Sequence, residues 1–190
     1  MDKTFQKLLQ TDIDLSSLGV ERRTDNEPYF CTPKGASVFG WTGVDGIHFC
    51  FVRGFGGMVF AVSPANTFPN YVHPLAKNFA DFLRLLLACG DVAALEQAWR
   101  WDKAQFETFL QDNPPTQEQQ ETLALVATKL KLMPMERPWA YIKELQASFD
   151  YSKIKYTKEY YDVVDQNAKP AIPEWKVYFE GNFWGHSGKE

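Results

Sequence analysis

Residues 36–63 read ASVFGWTGVDGIHFCFVRGFGGMVFAVS, in which three short apolar runs are separated by two glycine-containing turns. Short runs of β-branched and aromatic residues between such turns are typical of consecutive antiparallel strands. A helix should follow, because Asn78 and Gly90 suit its two ends and the apolar residues between them recur at helical spacing. The stretch therefore predicts a β-meander packed by a helix.

The two turns also predict a register for the meander. A four-residue loop over residues 54–57 pairs Phe51 with Phe60, and a loop over residues 42–46 pairs Trp41 with Ile47. One face of the sheet then collects the large apolar side chains Phe39, Trp41, Ile47, Phe49, Phe51, Met58, Phe60 and Val62. The opposite face receives Val38, Gly40, His48, Cys50, Val52, Val59 and Ala61.

Helices are expected through most of the remaining chain. Residues 2–10 have apolar residues on one helical face, Asp91, Asp102 and Thr116 have the side chains of helix N-caps, and Pro138 suits a first helical turn. Two further strands are predicted, a short edge strand at Tyr29–Cys31 and a C-terminal strand over residues 175–184. Residues 150–165 are compatible with a strand or a helix.

These elements predict an α+β fold, in which an antiparallel β-meander is packed by helices and the C-terminal half is mainly helical. The sequence Asn-Pro-Pro at residues 113–115 is the clearest signal of a boundary between two parts of the chain. We expect residues 1–112 to form an α+β core. Residues 113–190 should form a helical extension with a C-terminal strand, packed on the same domain.

Composition restricts the classes of function. The net charge of −4 argues against nucleic-acid binding, which favours a basic surface. The three cysteines, Cys31, Cys50 and Cys89, are odd in number and widely spaced, as expected for free thiols in the cytoplasm. The N-terminus lacks the apolar segment of a signal peptide, and no apolar run is long enough to cross a membrane.

His48 and Cys50 are the residues that most resemble reactive groups. With His73 or Cys31 they could bind a metal, but the paired ligand spacing of structural zinc sites is absent. A Cys–His nucleophile is disfavoured because Cys50 lies within a strand and Cys89 at a helix C-terminus, where the thiolate is not stabilised. We expect packing roles, no cofactor and no metal; a small enzyme with a cleft around His48 and Cys50 is the alternative.

The aromatic content of 15% points to a different kind of site. Most such residues pack in cores, but exposed tryptophan, tyrosine and arginine side chains mark protein-binding surfaces. Trp99 and Trp101 flank a predicted helix junction, and Asp45, Arg53 and Phe55 lie in the predicted turns. These five residues are the predicted partner-binding residues.

Three segments carry a family resemblance: Gly-Val-Asp-Gly-Ile-His-Phe-Cys-Phe-Val at 43–52, the strand at 58–64, and the helix start Asn-Phe-Ala-Asp-Phe-Leu at 78–83. They resemble the SUKH superfamily, bacterial immunity proteins related to the yeast regulator of cell-wall glucan synthesis. The resemblance covers about a quarter of the chain. The family's Pro-x-x-Tyr-x-x-Phe-Leu-like segment before the sheet is not evident, and residues 104–190 have no counterpart.

The resemblance implies a non-enzymatic domain that binds and neutralises a protein partner, often a toxin, and it implies no catalytic residues. The resulting expectation is a cytoplasmic protein-binding domain, a monomer or weak dimer, with an immunity protein as its specific form. A regulatory subunit that pairs through an exposed edge strand is the other alternative.

Overall fold

A four-stranded antiparallel sheet forms the centre of the computed structural model, which describes residues 2–23 and 27–168. The strands follow one another in space as they do in sequence. They are β1 (Ala36–Trp41), β2 (His48–Val52), β3 (Val59–Val62) and β4 (Val72–Ala76). The predicted meander is confirmed and is extended by β4. Residues 29–31 form no strand; Phe30 and Cys31 lie in a turn.

Seven α-helices accompany the sheet within the described residues. They are α1 (Lys3–Leu9), α2 (Phe79–Cys89), α3 (Ala93–Gln97), α4 (Lys103–Asp112), α5 (Gln117–Leu130), α6 (Pro138–Ser148) and α7 (Lys158–Ala168). The α+β class is therefore confirmed. The segment compatible with a strand or a helix is a 3-10 turn (Tyr151–Lys153) followed by α7. The strand predicted over residues 175–184 lies outside the described residues.

The helix ends follow the capping chemistry of the sequence, with one exception. Asn78 Oδ1 accepts a hydrogen bond of 2.8 Å from the backbone N–H of Asp81, and Asp102 and Thr116 each form a capping box. Asp91 is not an N-cap, because α3 begins after Val92. The Asp91 carboxylate instead accepts from the backbone N–H of Ala93 at 2.9 Å and from the side chain of Gln119 at 3.2 Å, which ties α3 to α5.

The register between β2 and β3 differs by one residue from the prediction. Phe51 lies opposite Val59, and Cys50 lies opposite Phe60. The loop closes through two successive turns, in which Phe55 N–H donates to the Val52 carbonyl and Met58 N–H donates to the Phe55 carbonyl. Because side chains alternate along a strand, this single step moves every β3 side chain to the opposite face.

A β-bulge at Phe39 changes the pairing of β1. Val38 lies opposite Cys50, but Gly40 lies opposite Phe49, so that Trp41 pairs with His48 rather than with Ile47. The bulge brings the rings of Trp41 and His48 to a centroid distance of 4.7 Å. The expected gathering of all large aromatic side chains on one face is therefore wrong.

Helices cover one face of the sheet. Its inward side chains Phe49, Val59 and Ala61 belong to a core that also contains buried residues of α1, α2, α5 and α6, among them Leu8, Phe79, Phe82, Leu83, Leu86, Val126 and Ile142. Phe5 of α1 closes this core with an edge-to-face contact to Phe79 at 4.9 Å. The large apolar area removed from water here is the main driving force of folding.

Residues after α6 cover the other face. Phe60 is fully buried between Phe55 and Phe149, with centroid distances of 5.4 and 5.5 Å. The same cluster contains Cys31, Cys50, Val52, Val62, Tyr71, Val72, Ile154 and Tyr160. The sheet is thus buried on both sides, and its own accessible parts are the ends and edges of its strands.

Candidate functional site

The connection from β1 to β2 and the connection from β3 to β4 lie at the same end of the sheet. His48, the first residue of β2, pairs with Val62, the last residue of β3, which in turn pairs with Val72. We call this end, with its residues Tyr29, Val44, Asp45, Phe68, Trp99 and Arg100, the loop-end surface. It combines apolar side chains with charged ones.

The β1–β2 connection holds Val44 away from the core. Thr42 N–H donates to the Ile47 carbonyl at 3.0 Å, and Ile47 N–H donates to the Val44 carbonyl at 3.1 Å. Asp45 adopts a left-handed conformation with φ of 52°, which aspartate tolerates better than most residues. Val44 is 62% exposed at the tip, although burial of a valine would be favourable.

Tyr29 supports this connection from one side. Its ring stacks on the His48 ring at a centroid distance of 5.9 Å and keeps 40% of its surface exposed. Gly46 has φ of 67°, and a Cβ atom at this position would lie 2.5 Å from the Tyr29 ring. Glycine is therefore favoured here by its backbone conformation, and any larger residue would also displace the Tyr29 ring.

Gly46→Ala is expected to lower the free energy of unfolding by about 2 kcal/mol, because alanine adds left-handed strain and a clash with Tyr29. Gly56 is a matched control, since its φ is 63° and a Cβ atom placed on it would meet no other atom within 4 Å. Urea denaturation should show a smaller loss for Gly56→Ala. Equal losses for the two variants would contradict the packing of Tyr29 on Gly46.

Phe68 and Trp99 extend the loop-end surface past β4. Phe68 lies in the β3–β4 connection and is 52% exposed. The Trp99 ring, half-buried after α3, stacks face to face on His73 at a centroid distance of 4.8 Å and an interplanar angle of 7°. Partly exposed aromatic rings held by such contacts lose little side-chain entropy when a partner binds.

Charged side chains adjoin these apolar ones. Asp45 and Arg100 are exposed, and both interact electrostatically with Glu96 of α3. Burial is the main cause of a raised pKa for Glu96, Asp45 raises it further, and the hydrogen bond from Gln97 and the charge of Arg100 oppose the rise. The loop-end surface therefore has charged side chains of both signs beside its apolar tip.

The structure places the five predicted partner-binding residues in three different parts of the molecule. Asp45 and Trp99 belong to the loop-end surface. Arg53 and Phe55 lie in the β2–β3 connection at the opposite end of the sheet, where Arg53 is exposed and Phe55 packs against Phe60. Trp101 lies at the start of α4, where its ring contacts Phe109 at 4.9 Å. No single surface contains all five.

Tyr29 and Phe68 are the aromatic members of this surface that the sequence pattern does not single out. The pattern places Tyr29 in an edge strand, and Phe68 lies among polar and turn-forming residues that have no periodicity. An aromatic residue isolated in such a turn-rich segment is the signal that could have identified Phe68, because it has no strand or helix to bury it.

His48 and Cys50 occupy core positions. His48 Nδ1 lies 2.8 Å from the Gly46 carbonyl, and Nε2 lies 3.1 Å from Thr32 Oγ1. Neutral histidine satisfies both contacts if Nδ1–H donates to Gly46 and the Thr32 hydroxyl donates to Nε2. Burial lowers the pKa of His48 and raises the pKa of Cys50 to about 12, which favours packing roles for both residues.

The other two cysteines and His73 are also buried. Burial raises the pKa values of Cys31 and Cys89 to about 12, so both thiols are protonated at neutral pH and are weak nucleophiles. His73 donates from Nε2 to the Asn70 carbonyl at 3.2 Å. Within residues 2–23 and 27–168, no group of three or more His, Cys, Asp or Glu side chains is arranged to hold a metal ion.

Among the helices described, none has both the length and the apolar composition that a membrane crossing requires. Comparison of the chain with protein-family models, with curated proteins and with solved structures gave no match. The candidate site therefore rests on its own geometry: a surface of apolar and charged side chains that is built on loops and supported by a sheet buried on both faces.

Proposed function

We propose that this chain is a non-enzymatic cytoplasmic domain that binds a protein partner through the loop-end surface. One observation carries the proposal: Val44, Phe68 and Tyr29, which come from three separate segments, expose apolar side chains at the same end of the sheet. Apolar and aromatic side chains surrounded by charged residues are the usual composition of a protein-binding hot spot. The rigid sheet below them limits the entropy lost on binding.

An immunity protein that neutralises a toxin is the specific form of this proposal. It is supported by the resemblance of residues 41–87 to the SUKH superfamily and by the net charge of −4, which suits a basic partner such as a nucleic-acid-cleaving toxin. The buried, protonated thiols also suit a protein that works by binding rather than by nucleophilic chemistry.

Binding to the protein products of the genes that neighbour this one, measured by isothermal titration calorimetry, tests the proposal. Val44→Asp and Phe68→Asp should each weaken binding by about tenfold or more, because each places an unpaired charge in an apolar contact. Leu125→Asp is the control, since Leu125 is 49% exposed but lies on α5.

Equal weakening by the Leu125 and loop-end variants would place the interface elsewhere. A chain that binds no such protein but shows measurable turnover, lost with His48→Ala while the fold is retained, would overturn the proposal in favour of an enzyme.

A further inference from the structure

The two edges of the sheet are protected to different extents. Helix α6 packs along β4, and the Gln146 side chain donates to the Pro74 carbonyl at 3.3 Å. At the other edge, Trp41 of β1 exchanges backbone hydrogen bonds with Glu21 at 2.9 and 2.7 Å, and Ala36 N–H donates to the Pro33 carbonyl at 3.0 Å. Among the residues that the structure describes, none forms a backbone hydrogen bond to the outer edge of β1 between these contacts, and we call this part the open part of β1.

Val38 lies at the centre of the open part. Alternate residues of an antiparallel strand direct their backbone groups toward the partner strand and away from it. The backbone N–H of Ala36 donates outward to Pro33, and the Gly35 carbonyl accepts from Arg53 of the neighbouring chain segment. The backbone groups of Ser37 therefore point toward β2, and those of Val38 point away from it. No hydrogen-bond partner for the outward groups of Val38 occurs in the part of the chain that the structure describes.

A groove of about 390 Å³ runs along this edge. Thr32 and Pro33 of the loop before β1 line it, and so does Thr157, which directly precedes α7. Ser37 and Val38 also line it, so the unpaired backbone groups are accessible from the groove. A strand added to this edge would lie about 4.8 Å from β1, on the side where the groove is found.

Three cations lie at or beside the groove, and Lys34 is the one that lines it. Lys34, Arg53 and Lys155 are exposed, and they are brought together by backbone hydrogen bonds, from Lys34 N–H to the Lys155 carbonyl at 2.7 Å and from Arg53 N–H to the Gly35 carbonyl at 3.1 Å. None of the three belongs to an ion pair among the residues described. In a chain with a net charge of −4, such a local excess of positive charge selects for acidic partners.

We propose that the open edge of β1 binds an extended acidic segment of a partner protein as a fifth strand. Backbone hydrogen bonds to Val38 hold the segment in register, as in strand addition to other sheet edges. Its carboxylates pair with Lys34, Arg53 and Lys155. This interface is separate from the loop-end surface and does not depend on the function proposed for that surface.

A fluorescent peptide of alternating glutamate and threonine residues, titrated into the full chain at low salt, tests the proposal. We expect saturable binding that weakens as salt screens the charges. The double variant Lys34→Gln/Lys155→Gln should weaken it by at least about fivefold. The matched control Lys7→Gln/Lys129→Gln removes two exposed cations from α1 and α5 and should leave the affinity unchanged.

Amide hydrogen exchange measured by NMR distinguishes strand addition from simple charge attraction. Saturating peptide should slow the exchange of the Val38 amide by about tenfold, while the Ser37 amide, already bonded to β2, should change little. Three results would each overturn the proposal: equal binding of a lysine–threonine peptide, an unprotected Val38 amide in the peptide complex, or protection of Val38 without peptide in a concentration-dependent dimer.

Discussion

Phe60→Ala is expected to lower the free energy of unfolding by about 4 kcal/mol, since a fully buried phenylalanine is replaced by a cavity. The variant also reports the register of the sheet. In the observed register Phe60 contacts Phe149, at a ring-centroid distance of 5.5 Å, and lies on the face opposite α2. Urea denaturation gives the loss directly.

A double-mutant cycle locates the lost contacts. Phe60→Ala and Phe149→Ala should couple by about 1 kcal/mol, whereas Phe60→Ala and Phe82→Ala should be nearly additive, because Phe82 packs in the core on the other face. Coupling to Phe82 instead of Phe149 would contradict the observed register and would restore the register expected from the turn lengths.

Acid should destabilise the fold through its buried histidines. Burial, with a smaller effect of Lys143, lowers the pKa of His73 from 6.5 to about 4, against the opposing effect of the Asn70 carbonyl. The unfolded chain therefore binds the proton first as the pH falls. The stabilisation present above pH 6.5 is lost progressively down to about pH 4, which amounts to about 3 kcal/mol for His73. His48 acts in the same direction.

Comparison of wild type and His73→Gln isolates this contribution. Free energies of unfolding at pH 7 and pH 4 should differ less in the variant than in the wild type, because glutamine does not titrate. Carboxylates titrate in both proteins, and Glu96, whose pKa is raised, acts in the opposite sense in both. Parallel pH dependences of the two proteins would show that protonation of His73 is not coupled to unfolding.

Local chemistry predicted most of the regular structure. The α+β class, the meander and the helices that start after Asn78, Asp102 and Thr116 follow from capping side chains and hydrophobic periodicity, which act within one or two turns of the chain. The core position of His48 and Cys50 was also expected, because apolar neighbours surround both residues along β2.

The candidate surfaces could not be predicted to the same extent. Asp45 and Trp99 are indicated by their own residue types, but Tyr29 and Phe68 join them only because β4 and the turn before β1 bring distant segments to one end of the sheet. Arg53 is also indicated by its residue type. Its proximity to Lys34 and Lys155 could not be predicted, because it depends on the pairing of β1 with β2 and on the backbone hydrogen bond between residues 34 and 155.

The sequence by itself determined which segments of this protein become helices and strands, since those choices depend on neighbouring residues. The tertiary structure decided which faces those segments bury. The bulge at Phe39 and the loop around Phe55 each shift the strand pairing by one residue from the predicted register. Because side chains alternate between the two faces of a strand, each shift moves the side chains beyond it to the opposite face of the sheet. The C-terminal residues that cover Phe60 are more than eighty positions away in the chain, a separation over which no local pattern acts.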